Sequence, residues 1–392
     1  MGGSAWYVFA GGGTGGHLYP ALAVARELQR GPDAAEVAFF CTQRPIDRQI
    51  LGQAGIEAVP LPVRPFPARP WDWFGFWSSW RASVRLCLEA FRRRRPVAVT
   101  GAGGYASGPP VHAAVRLGIP TFVLNPDAVP GRANRYLAWR GRLAGIFAQW
   151  EVTREYFPPG APVLVTGCPV RSEFRSVSGE GAGAFIRSVG LDAGRPLLLV
   201  TGASQGARTI NQAMVRLAGV VAGAGWQVLH LSGPADEADV QAAYASAAAG
   251  AAAGLRYRVL AFTERMAEAL ASADLVVSRA GASTLAELQA SGRPSILLPY
   301  PYHRDQHQRH NAEVLVRAGA AVLLEDGRDP QVNAGRLEPV LRRLAADADA
   351  RRAMAEAARK LDRPEAASRI ARHLSGVEAA PCGACLCGQS PA

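Results

Sequence analysis

The chain has 392 residues, 49 % of them hydrophobic and 19 % charged, a balance that predicts two or three globular domains and excludes disorder, collagen and coiled coil. Its 43 basic and 32 acidic residues leave a formal charge of +11, and Lys360 is the single lysine among the basic residues. Such a surplus calls for an anionic partner, whether nucleic acid, acidic lipid or a phosphorylated substrate, although the codon usage of a GC-rich genome also raises arginine.

At the start, Met1-Gly2-Gly3 runs straight into an apolar strand, so no secretory leader is expected. No stretch of eighteen apolar residues predicts a spanning helix, and the expected compartment is the cytoplasm, with reduced thiols. Short apolar runs at 6–10, 37–41, 58–61, 97–100, 121–124, 146–148 and 163–165 read as buried strands, mostly with helical periodicity between them. The series restarts at 196–200 and continues at 227–231, 257–260, 275–277, 296–298 and 321–324. Alternation of this kind builds parallel sheets through right-handed crossovers, and two complete series predict two doubly wound α/β domains. The boundary is expected within 171–184, a Gly- and Ser-rich stretch without apolar periodicity, which gives units of 1–171 and 172–346. An Ala-rich stretch at 242–254 reads as a helix end plus a loop. A helical stretch over 347–374 is expected to cross back onto the first unit, and 375–392 reads as a disordered tail.

Four glycine loops follow strands. The first, Gly11-Gly12-Gly13-Thr14-Gly15-Gly16-His17, satisfies G-x-G-x-x-G between a strand and a helix. There, glycines let the backbone approach an anion that the helix start holds. A dinucleotide site also wants an acid at the end of the second strand, where this chain has Cys41-Thr42-Gln43-Arg44, so NAD loses ground. The second loop is Gly101-Ala102-Gly103-Gly104-Tyr105, and two anion-ready loops on one sheet favour a diphosphate-bearing ligand. The third is Gly202-Ala203-Ser204-Gln205-Gly206-Ala207, and the fourth, Arg279-Ala280-Gly281-Ala282-Ser283-Thr284, leads into a helix bearing Glu287. None ends in Gly-Lys-Ser/Thr, which excludes a P-loop kinase.

These loops, with Pro130-Gly131-Arg132-Ala133-Asn134, Gly167-Cys168-Pro169-Val170-Arg171 and His307-Gln308-Arg309-His310-Asn311-Ala312, resemble the MurG-type glycosyltransferases over about residues 6–326. The resemblance implies a GT-B fold, two Rossmann-like domains facing a cleft. It also implies inverting transfer of N-acetylglucosamine from UDP-N-acetylglucosamine to the 4-hydroxyl of the muramoyl sugar of lipid I. The product is lipid II, for peptidoglycan and hence cell shape and division. By resemblance, Thr263 falls where backbone meets uracil and Glu287 where a carboxylate bonds the ribose. Ser204 and the helix start Ala282, Ser283, Thr284, Leu285 and Ala286 face the diphosphate, His307 and Gln308 reach the sugar, and Arg171 contacts the nucleotide. Gly13, Thr14, Gly15, Gly16, Gly103, Gly104 and Tyr105 would meet the acceptor's pyrophosphate, with Thr14, Gly15, Gly16 and Asp127 also bordering the UDP-sugar. No metal or cofactor is implied.

The chemistry needs a base at the acceptor hydroxyl. Histidine titrates near neutrality, and His17 sits at the mouth of the first loop, where it serves either as base or as a phosphate binder. The family's usual His-Glu-Gln-Asn or Leu-Glu-Gln-Asn is replaced here by Leu124-Asn125-Pro126-Asp127, which makes Asp127 a second candidate base and puts the acceptor side in question. A related epimerase or transferase with another acceptor, or a catalytically impaired membrane-bound homologue, are the rival readings.

Residues 70–80 are unusually aromatic, and Trp71, Trp73, Phe74, Phe76, Trp77 and Trp80 with Arg81 and Arg85 are expected to dock on an anionic membrane surface at the cytoplasmic face of the plasma (inner) membrane. A core-facing helix is the plain alternative. Nucleic acid is not expected, since no binding module accompanies the arginines. Cys382, Cys385 and Cys387 lack a fourth ligand for zinc. His303, His307 and His310 with Asp305 mimic a metal cluster but are better explained by substrate contacts. Asp347-Ala348-Asp349 mimics a metal-binding D-x-D and is expected to cap a helix.

Overall fold

The computed structural model describes residues 4–13, 15–31, 34–67, 69–140, 142–203, 205–250, 252, 254–302 and 305–377. Thr14, Ser204, His303 and the three tail cysteines therefore lie outside the described residues.

All thirteen expected strands occur, within three residues at either end. The first sheet contains β1 (Trp6–Gly11), β2 (Glu36–Cys41), β3 (Glu57–Pro60), β4 (Ala98–Gly103), β5 (Thr121–Asn125), β6 (Gly145–Ala148) and β7 (Val163–Val165), in the order β3-β2-β1-β4-β5-β6-β7. The second contains β8 (Leu197–Thr201), β9 (Gln227–Leu231), β10 (Arg256–Leu260), β11 (Leu275–Ser278), β12 (Ser295–Leu297) and β13 (Ala321–Leu323), in the order β10-β9-β8-β11-β12-β13. Every pairing is parallel. Helices cover both faces of each sheet, so central strands such as β1 and β8 are buried along their whole length and read as unbroken apolar runs.

Three local readings change. The 171–184 stretch is not a loose tether: it holds the short helix Glu173–Ser176 and the start of helix Gly179–Ser188, and Phe174, Ala182, Phe185 and Ile186 are buried. Ser178 caps the longer helix by accepting from the Gly181 N–H at 3.1 Å. The late helical stretch is two helices, Ala348–Leu361 and Ala366–Ser375, because Pro364 cannot continue the first. The second of them lays Ile370, Ala371 and Leu374 against Leu18 and Leu22 of helix Gly15–Arg30, on the first sheet. Val377, expected in the tail, still packs on that cluster. Asp347 does cap its helix, accepting from the Ala350 N–H at 2.8 Å.

Candidate functional site

In each sheet the strand order reverses direction once, between β1 and β4 in the first and between β8 and β11 in the second. Ligands of open α/β sheets bind beyond the carboxyl ends of the strands at such a point. The four glycine loops leave those four strands, so topology alone brings them to two facing crevices.

The first loop is held by an acid that the second strand's end did not reveal. Asp47, one turn into helix Pro45–Gln53, is fully buried. Its carboxylate accepts from the Gly13 N–H at 2.8 and 3.0 Å, the Thr42 N–H at 3.0 Å and the Thr42 hydroxyl at 2.5 Å. The carboxylate thus shapes the glycine loop and leaves no acid for a ribose, in line with the case against NAD.

His17 lies where the first and second loops touch. Its Nδ1 is 3.3 Å from the Gly12 carbonyl oxygen, and its ring rests against the backbone of Gly103 and Gly104. A Cβ on Gly103 would come within 2.8 Å of the imidazole, and Gly103 holds φ +106°, so both space and backbone demand glycine there. The Gly12 carbonyl can only accept, so Nδ1 carries a hydrogen toward it and Nε2 is the nitrogen left toward an acceptor hydroxyl.

The departing motif turns out to be a clasp. The Asn125 side chain is buried and uses both ends, donating to the Asp127 carbonyl at 2.7 Å and accepting from Asn134 Nδ2 at 3.1 Å; a glutamate could not do both. Asp127 reaches the second sheet's unit: Asn311 Nδ2 donates to its carboxylate at 2.8 Å, while the Ala128 N–H donates to Asn311 Oδ1 at 2.7 Å. Asn311 belongs to the quoted motif, but its role was not foreseen.

On the facing side, no side chain caps the start of helix Ala282–Ser291, whose first-turn N–H groups point at the cleft. Ser283 donates its hydroxyl to the Gly16 carbonyl at 2.9 Å, so the first and fourth loops meet directly. Arg171 stacks over Tyr19 at 4.6 Å and Phe174 at 5.0 Å and pairs with Glu173 at 3.3 Å. Burial raises the Glu287 carboxyl to about 7, against the pull of the Arg171 charge and with a smaller push from Glu173. The Cys168 thiol is raised by burial and then by the charges of Glu287 and Asp127.

Gln308 accepts from the Tyr300 N–H at 2.9 Å and the Ala280 N–H at 3.3 Å, which orients its amide. His307 Nδ1 lies 2.8 Å from Asp305. Thr263 spends its hydroxyl on the Arg265 N–H at 3.1 Å, and beside it Phe262 is exposed, an aromatic face the sequence reading passed over. Also unforeseen is a buried staple behind the loops: Arg279 pairs with Asp326 at 2.7 Å and donates to the Leu298 and Pro299 carbonyls, while Asp326 accepts from Thr209 at 2.6 Å and Asn333 at 2.7 Å. These bonds hold the Asp326 carboxyl below the usual carboxylate range, although burial alone works to raise it.

The aromatic stretch forms the first turns of helix Trp73–Arg93. Trp71, Phe74 and Trp77 are exposed, as are Arg81 and Arg85, the latter paired with Glu89 at 2.9 Å. Phe76 does not face outward as expected: it is 8 % exposed and packs among Phe66, Trp73, Trp77 and Trp80, because its position on the helix turns it toward the body. Trp80 is likewise drawn inward, against His112. No described helix is long and apolar enough to cross a membrane.

Two doubly wound sheets whose anion-ready loops face each other across a cleft define a GT-B glycosyltransferase. The chain belongs to glycosyltransferase family 28, matching the family's N-terminal domain over residues 7–144 and its C-terminal domain over residues 197–370. It is 39 % identical over 327 residues to the UDP-N-acetylglucosamine--N-acetylmuramyl-(pentapeptide) pyrophosphoryl-undecaprenol N-acetylglucosamine transferase of Leifsonia xyli subsp. xyli, covering 82 % of this chain and 85 % of that one. It is 34 % identical over 365 residues to the protein of the same name from Bacillus licheniformis, covering 93 % and 96 %. The crystal structure of Acinetobacter baumannii MurG superposes with a TM-score of 0.71 at 25 % identity, covering 95 % of this chain and 99 % of that one.

Proposed function

We propose that this glycosyltransferase transfers N-acetylglucosamine from UDP-N-acetylglucosamine to the 4-hydroxyl of the muramoyl sugar of lipid I, with inversion, giving lipid II. The observation that carries the reading is the meeting of the two sets of loops at Ser283 and Gly16, 2.9 Å apart, which brings a donor-side helix start onto an acceptor-side glycine loop. The chain's similarity to transferases of that name along nearly their whole length supports it.

In this reading residues 1–171 hold the acceptor and 172–346 the donor. Glu287 accepts from the ribose hydroxyls, backbone at Thr263 pairs with uracil, and the exposed ring of Phe262 lies over the base. Gln308 and His307 orient the sugar. Gly15, Gly16, Gly103, Gly104 and Tyr105 cradle the acceptor's pyrophosphate through backbone N–H groups, and Gly13, whose N–H is held by Asp47, contributes close backbone approach. The acceptor oxygen bonds to the anomeric carbon as the bond to the UDP β-phosphate oxygen breaks. His17 takes the hydroxyl proton on Nε2, and the charge left on UDP is met by the 282–287 helix start and by Arg171. Asp127, whose carboxylate is engaged by Asn311, holds the units in register. Trp71, Phe74, Trp77, Arg81 and Arg85 rest on the anionic cytoplasmic surface of the plasma membrane, where a lipid-linked acceptor resides.

Turnover of UDP-N-acetylglucosamine with a lipid I analogue tests this. UDP and disaccharide lipid are expected in equal amounts. UDP release without transfer would point to a different reaction such as 2-epimerisation or another acceptor, and binding without turnover to an impaired homologue.

A further inference from the structure

Away from the transfer cleft, the two chain crossings between the units meet around a cavity of about 430 Å³. One wall is the first crossing, with Phe174, Arg175 and Val177; another is the return crossing, with Arg359, Asp362 and Pro364; the floor is the end of helix Ala282–Ser291, with Gln289 and the following Arg293. The volume suits a small molecule.

The charge lining the cavity is unbalanced toward the positive. Three guanidiniums line it against a single carboxylate, and that carboxylate is already committed: Asp362 accepts from Arg175 Nε and Nη2, both at 2.6 Å. Arg359 pairs with no carboxylate among the described residues. Its stem crosses Gly292, whose φ of +61° and missing Cβ leave the room for it. Burial, and then the neighbouring Arg359 charge, disfavour the Arg293 cation. Gln289 is 4 % exposed, and its Nε2 has no hydrogen-bond partner, as is also true of Arg293 Nε. Both nitrogens lie behind the cavity wall, without surface open to it.

We propose that this crossing cavity is a second ligand site, which takes a small soluble oxyanion, phosphoryl or carboxylate, bearing a short apolar body. Arg359 supplies a planar fork that binds such groups in a pair of hydrogen bonds, Arg293, whose Nη1 already donates to the Ala273 carbonyl at 2.8 Å, adds positive charge, and Phe174, Val177 and Pro364 line the apolar part. The site touches the transfer machinery only through Phe174, whose ring lies under Arg171. Because both crossings form its walls, an occupant spans the two connections between the units.

The probes are inorganic pyrophosphate and citrate, titrated by calorimetry into the full chain saturated with UDP, at fixed ionic strength. Saturable binding of at least one is expected, and which of them binds tells phosphoryl from carboxylate. Arg359→Ala, at an exposed position, weakens it by about tenfold or more. Asp362→Asn, which removes the internal competitor for Arg175, tightens it. No saturable binding of either probe overturns the proposal. So does binding that Arg359→Ala leaves unchanged, since Arg359 would then serve only the helix end it crosses.

Discussion

Asn311 and Asp127 form a reciprocal contact across the cleft: the amide donates to the carboxylate at 2.8 Å and takes the next residue's N–H, that of Ala128, at 2.7 Å. One buried side chain of the second unit thereby fixes both the side chain and the backbone of the loop that departs from the family pattern. Asn311→Asp sets two carboxylates face to face and is expected to cost about 2–3 kcal/mol. Combining it with Asp127→Asn reverses the polarity of the bond without breaking it, and recovers about 1 kcal/mol or more of that loss in a denaturation cycle. Strict additivity would mean that the contact carries no energy. The double variant also separates the candidate bases: retained turnover leaves the proton to His17, whereas abolished turnover in a stably folded protein assigns it to Asp127.

The Gly103 backbone is a wall for the His17 ring. Gly103→Ala drives a methyl into the imidazole and forces a left-handed φ on alanine. We expect kcat to fall by about 10²-fold or more, with the donor KM nearly unchanged, because the displaced group acts on the acceptor proton. His17→Ala should give a similar or larger loss, about 10²–10⁴-fold. A rise in donor KM with kcat intact would instead place the ring on the donor side.

How much of this was legible follows from the range of the interactions. Parallel strands buried on both faces are unbroken apolar runs, and a loop on a strand's end is a local motif, so β1 with its glycines stood out in one short window. Asp47 did not, because it folds back from a helix to a loop 34 residues earlier. Asn311 lay within a recognised motif, but its partner is 184 residues away, and no spacing rule reaches that far. The Arg279–Asp326 staple is hidden for the same reason. Phe76 shows the opposite error: composition marked the aromatic stretch, but composition has no face, and only the helix decides which rings turn in. At 171–184, the Gly- and Ser-rich stretch that shows no apolar periodicity still buries Phe174 and Ala182, and leads into the buried Phe185 and Ile186, a burial that no period in the sequence announces.

With Glu287 on the ribose, as proposed above, donor binding is expected to depend on pH. Burial raises its carboxyl from an ordinary value of 4.5 to about 7, so the free protein favours the neutral form below that point. A ribose that donates two hydroxyls favours the carboxylate, so binding expels a proton. The stability contributed by the raised value is complete below pH 4.5 and is lost as pH rises to about 7. Donor affinity runs the other way, rising from pH 5 to 7 by up to about tenfold per unit and levelling above. Calorimetry of UDP binding in buffers of different ionisation enthalpy should register proton release near pH 6.5. Glu287→Gln should bind more weakly, with the slope gone. An unchanged slope in that variant would move the titration to another group.

The aromatic turn offers the sharpest contrast between neighbours. Trp71 is 72 % exposed and Phe74 86 %, whereas Phe76, two residues on, is 8 % exposed. Moving an exposed aromatic ring into an interface gains a share of the roughly 1.5–3 kcal/mol of full burial, so the Trp71→Ser, Phe74→Ser, Trp77→Ser triple variant should lower partitioning onto anionic vesicles by about a hundredfold at unchanged Tm. Phe76→Ala should do the reverse, costing about 3–5 kcal/mol of stability while the folded protein still finds the vesicle. Added salt should weaken the wild type's attachment without abolishing it, since Arg81 and Arg85 contribute the screened part and the rings the unscreened part. Equal partitioning of the triple variant and wild type would mean that the exposed rings meet something other than lipid. Loss of attachment on adding salt alone would mean that the arginines act without them.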